Sequence, residues 1–94
     1  MENRVVITGM GIWSCLGQTL DEVRQNLYDG KSGIIFSQER KDMGFRSGLC
    51  ADVPKPDLKK LVSRSMRQFM PEEAQYAYMA TKDALEHARL DQDY

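Results

Sequence analysis

The sequence has one histidine, His87, and two cysteines, Cys15 and Cys50, and this scarcity limits metal chemistry first. A structural zinc site needs about four such ligands at short spacings, and His87 has neither a cysteine nor a second histidine near it. A single disulfide in a chain without secretory features is disfavoured, so both cysteines are expected as reduced thiols acting as small core residues. Long apolar runs are also missing. The longest are a few residues, against the ~20 that span a bilayer, and acidic Glu2 with Asn3 before Val5 does not read as a signal peptide. The expectation is a cytoplasmic protein without membrane attachment. No charge of one sign dominates either: 13 basic and 14 acidic residues give a formal net charge of -1, which gives no global push toward nucleic acid.

What is present suits one small globular unit without an internal boundary over residues 1–94. It is 41% hydrophobic, and a chain of 94 residues buries only somewhat more than ~60% of its unfolded surface, so the core is thin. Arg4–Thr8 contains the β-branched run Val5-Val6-Ile7 closed by Gly9 and Gly11, which predicts a central strand covered on both faces. Thr19 with Glu22 forms a capping-box pattern, Leu20, Val23 and Leu27 share a helical face, and Gly30 supplies a left-handed stop. The pattern predicts a helix over 20–28.

Between Lys31 and Pro56 the pattern is irregular, with an apolar patch at Ile34-Ile35-Phe36 and an extended segment over 45–53. Leu58, Leu61, Val62, Met66 and Phe69 then recur at helical spacing, while Lys59, Lys60, Arg64 and Arg67 take the other faces. This predicts a short basic amphipathic helix or helical turn. Pro71, Glu72 and Glu73 open a last helix whose stripe of Ala74, Ala77, Tyr78, Thr81, Ala84, Leu85 and Ala88 is suited to close packing. Charge is segregated here. Residues 54–70 carry five bases and one acid, net +4, whereas 71–94 carry six acids and two bases, net -4.

Several residues invite chemistry. Gly9-x-Gly11 after a strand suggests a dinucleotide loop, but Ser14 stands where a third glycine or alanine belongs, and glycines shaping a structural loop are the favoured reading. His87 reads as a solvated or edge histidine. Tyr76, Tyr78 and Met79 read as helix packing, and Trp13 as core. The basic face of Lys59, Lys60, Arg64 and Arg67 is either solvated helix surface or a docking site for an acidic partner.

Taken together, the opening Val5-Val6-Ile7-Thr8-Gly9-Met10-Gly11-Ile12-Trp13-Ser14-Cys15-Leu16-Gly17 and the turn Asp29-Gly30-Lys31-Ser32-Gly33-Ile34 resemble the amino-terminal signature of the β-ketoacyl-[acyl carrier protein] synthases. Phe36-Ser37-Gln38-Glu39 with Lys41-Asp42 and Arg46-Ser47, then Phe69-Met70 and Tyr76-Ala77-Tyr78, resemble most closely the type I elongating branch. The resemblance spans essentially all 94 residues. It implies an α/β chain forming the amino-terminal part of a thiolase-like fold of alternating helix and sheet layers, incomplete here, with the first strand lacking its partners.

The resemblance also implies the parent's chemistry. An acyl group passes from carrier protein to a cysteine and is condensed with malonyl-carrier protein, with loss of CO2, without metal or nucleotide cofactor. The parent is expected to be a homodimer whose partner is acyl carrier protein, docking on Lys59, Lys60, Arg64 and Arg67. Arg64 and Arg67 lie nearest the family's basic positions, with Ser65 and Gln68 where further bases are expected. The family's nucleophile and its two histidines lie beyond Tyr94. Cys15, in the loop after the first strand, Cys50 and His87 match none of them, so no catalytic residue is expected and the 94 residues alone are expected to be inactive. The alternative is a non-catalytic segment that binds carrier protein or a synthase partner.

Overall fold

The computed structural model describes residues 2–90, so Asp91, Asp93 and Tyr94 of the reading above lie outside the described residues. These fall into two compact units, one formed by Ser14–Pro54 and the other by the residues up to Trp13 together with those from Lys55 onward.

In the Ser14–Pro54 unit, helix α1 spans Leu20–Tyr28 as its end signals predict. The Thr19 hydroxyl accepts the Glu22 N–H at 3.1 Å. At the other end Gly30 (φ 69°) donates to Leu27 and Lys31 donates to Asn26, a Schellman closure that satisfies two terminal carbonyls. Of the predicted apolar face only Val23 is buried, while Leu27 remains 63% exposed. Strand β1 (Ile34–Phe36) pairs antiparallel with β2 (Leu49–Ala51), placing Ile34 opposite Ala51, Ile35 opposite Cys50 and Phe36 opposite Leu49. The extended segment over 45–53 thus shortens to three residues.

Between the two strands lies helix α2 (Gln38–Asp42), where the sequence pattern looks irregular. Ser37 caps it by accepting the Arg40 N–H, and Gly44 (φ 91°) closes it with a second Schellman pair, Gly44 to Lys41 and Phe45 to Arg40.

The other unit departs from expectation at three places. Val5, Val6 and Ile7 form no strand and are 95%, 65% and 85% exposed, because among the described residues no strand lies alongside to complete a ladder. Of the two readings of 58–69, helical turns hold and a continuous helix does not. Leu61 and Val62 both donate to the Leu58 carbonyl in a turn, then Ser63 becomes extended (φ -63°, ψ 154°) and caps the one-turn helix α3, Arg64–Arg67. A serine in mid-pattern offers its own hydroxyl to the backbone, which restarts the helix and does not continue it. Leu58, 4% exposed, anchors the turn.

The third departure is one of register. Helix α4 spans Glu72–His87 with Pro71 as its N-cap, and an ion pair from Lys55 to Glu72 (3.2 Å) lies at its start. Its small-residue side does receive another segment closely, but through Ala80, Ala84 and Ala88, while Ala77 and Thr81 of the predicted stripe are exposed. The segment received is Gly9–Gly11. A side-chain carbon on Gly9 would stand 2.6 Å from the Ala88 nitrogen, and one on Gly11 2.8 Å from the Ala84 nitrogen. Arg89 (φ 59°) ends the helix in the left-handed region where glycine is usual.

Candidate functional site

The basic residues sit where the broken helix puts them. Lys59 and Lys60 lie in the turn after Leu58, Arg64 opens α3, and all three are exposed. Asp57 is the single acid of this stretch, and its carboxylate accepts the Lys59 backbone N–H (3.1 Å). Among the described residues, none of Lys59, Lys60, Arg64 and Arg67 stands in an ion pair, whereas Lys55 is held by Glu72.

Arg67 differs from the others. It is half-buried, and its Nε is buried without a hydrogen-bond partner. One guanidinium donor is therefore withdrawn from water, which makes Arg67 as much a packing residue as a surface charge. Between the cations, Leu61, Met66 and Phe69 are exposed at 41%, 60% and 78%. The segment so offers cationic and apolar groups side by side. Such a surface suits an acidic amphipathic element, since fixed charge steers encounter and apolar contact holds the encounter complex.

Cys15, Cys50 and His87 each lie against identifiable neighbours. Cys15 is a free, half-buried thiol lying against Gly33, where an added side-chain carbon would stand 2.5 Å from its Sγ. Cys50 is free, with its Sγ directed at the Asp52 carboxylate at 3.9 Å. His87 is exposed as expected, yet it is engaged: its Nδ1 accepts the Met10 backbone N–H at 3.0 Å.

The dinucleotide reading of Gly9-x-Gly11 loses its space, because the open side of both glycines is occupied by Ala80, Ala84 and Ala88 of α4. Ser14 has a local task of its own. Its hydroxyl donates to the Gly17 carbonyl (3.2 Å) and accepts the Leu16 N–H (3.2 Å), tying the loop before α1.

One feature escaped the sequence pattern. In the Ser14–Pro54 unit a recess of ≈ 340 Å³ is lined by Ser37, Glu39, Arg40, Met43, Phe45 and Asp52, with the Arg40 guanidinium 5.7 Å above the Phe45 ring. The signals were Ser37 and Gly44, which bracket α2. Its opposed charges give it no single electrostatic preference. Elsewhere, the Glu86 carboxylate, bonded to Lys82 at 2.7 Å, raises the Lys82 pKa above the ordinary value of 10.5. Among the described residues no cluster of three or more His, Cys, Asp or Glu could hold a metal ion, and no helix is long and apolar enough to cross a membrane.

Comparison with known proteins places these features. The family model for the beta-ketoacyl synthase N-terminal domain matches residues 2–94. The 3-oxoacyl-[acyl-carrier-protein] synthase 1 of Escherichia coli (strain K12) is 42% identical over 87 residues, covering 93% of this chain and 21% of the relative. That of Buchnera aphidicola subsp. Acyrthosiphon pisum is 36% identical over 91 residues, 97% of this chain and 22% of the relative. A crystal structure of a beta-ketoacyl synthase from Burkholderia phymatum STM815 superposes with a TM-score of 0.83 at 28% identity, covering 98% of this chain and 23% of that one. The chain thus spans about a fifth of the length of the curated relatives it matches. Its fold is the amino-terminal part of the thiolase-like α/β fold.

Proposed function

This chain belongs to the beta-ketoacyl synthase family, and we propose that it is the amino-terminal segment of a 3-oxoacyl-[acyl-carrier-protein] synthase of fatty-acid synthesis. The observation that carries the reading is the family match over residues 2–94 together with curated relatives that are 3-oxoacyl-[acyl-carrier-protein] synthases.

In the proposed reaction a cysteine thiolate displaces the carrier's thiol from an acyl thioester and keeps the acyl group. Malonyl-carrier protein then loses CO2, and the resulting enolate carbon attacks the cysteine thioester. The new carbon–carbon bond forms as the thiolate leaves, giving a 3-oxoacyl-carrier product. No metal or redox cofactor is needed for that balance. None of the 94 residues is assigned to this chemistry, which the parent supplies from other positions, as a cytoplasmic homodimer.

The part proposed for these residues is scaffolding and docking. The Gly9–Gly11 segment and α4 form one support, and Lys59, Lys60, Arg64 and Arg67 receive acyl carrier protein. The exposed charges of Lys59, Lys60 and Arg64, without an ion pair among the described residues, support that role. The same observation favours the second reading, a binding segment without catalysis.

The test is to express the whole reading frame that contains these codons and supply acyl- and malonyl-carrier protein. One CO2 released per 3-oxoacyl-carrier formed is the expected result. Carrier binding without CO2 release would leave the second reading, and neither would overturn both.

A further inference from the structure

We propose that His87 is an acid-labile clasp holding the Gly9–Gly11 segment against α4. The Met10 N–H donates to His87 Nδ1 at 3.0 Å across 77 positions of sequence. Met10 lies between the two glycines that bring this backbone against Ala80, Ala84 and Ala88, so the bond fastens the segment between its two close approaches.

The bond requires a neutral imidazole whose proton is on Nε2, because a protonated ring carries N–H on both nitrogens and has no acceptor. Acid therefore turns an acceptor into a donor that faces another donor. The segment itself brings no titratable side chain between Val5 and Trp13. On α4 the nearby charges are Asp83 one turn earlier, Glu86 and Arg89, and Glu86 is already bonded to Lys82 at 2.7 Å. His87 is the side chain bonded to the Met10 amide. The ring is exposed, so protons reach it without local opening.

The experiment is hydrogen exchange of the Met10 amide in the full chain, expressed as protection relative to the intrinsic rate at each pH. The range runs from about pH 8 to about pH 5, where imidazoles as a class change charge. The Ala88 amide, bonded to Ala84 at 2.9 Å, is the internal reference. The expected result is a loss of about tenfold in Met10 protection on acidification with Ala88 unchanged. His87→Ala should show the low value at every pH. Met10 protection that does not change with pH, equal protection in His87→Ala, or a parallel loss at Ala88 would each overturn the clasp.

Discussion

Gly11 and Ala80 meet backbone to backbone: a side-chain carbon on Gly11 would collide with the Ala80 carbonyl oxygen and stand 2.9 Å from the carbon that bears it. Neither atom can yield, since both belong to the main chain of α4 at mid-length. The glycine pair is therefore a contact surface.

Gly11→Ala should cost about 2 kcal/mol or more, since overpacking against backbone has no flexible side chain to relax. Gly30→Ala is the contrast. Nothing lies within 4 Å of its missing side chain, and its φ of 69° predicts a loss of about 1 kcal/mol from left-handed strain alone. Denaturant unfolding of the two variants should rank them in that order.

Thr19→Ala removes the acceptor for the Glu22 N–H at the start of α1 and should destabilise by about 1 kcal/mol. Thr19→Ser keeps an oxygen there and should recover most of the loss. Thermal unfolding of both variants checks this.

How much could be read in advance is clearest at the helix ends. Thr19, Glu22 and Gly30 set both limits of α1 because caps act through local hydrogen bonds that need no distant partner. A strand over Arg4–Thr8 was legible only as apolar and β-branched; its ladder needs a neighbouring strand, and the described residues hold none beside it. The continuous-helix reading of the basic segment failed at Ser63, where a cap outweighed apolar spacing. In the basic segment the exposure of Lys59, Lys60 and Arg64 was legible as a polar face, but the half-burial of Arg67 depends on packing that no spacing rule contains. The role of His87 was hidden for the same reason, as its partner is a backbone N–H 77 positions away.

Lys60→Glu with Arg64→Glu should raise the KM for carrier-borne substrate about tenfold in the intact synthase while leaving kcat near its original value. Added salt should weaken the original protein more than the variant. Arg67→Glu should in addition lower the unfolding temperature, because its Nε is buried. Steady-state kinetics at two ionic strengths, with a melting curve for each variant, separates the two effects.

Lys82 stabilises α4 through Glu86, and its raised pKa fixes the sign of the pH effect. The contribution is fully present below the ordinary lysine value of 10.5 and is lost as pH rises through the higher folded value. Lys82→Met should remove it at neutral pH and flatten the alkaline limb of the stability profile. Circular dichroism melts from pH 8 upward measure this.

The most direct test of the central claim, that these residues begin a condensing enzyme, is to read the coding DNA past codon 94. The expected result is an open frame that continues to a cysteine on a strand-to-helix turn and then to two histidines. A stop codon at that point would contradict the synthase assignment.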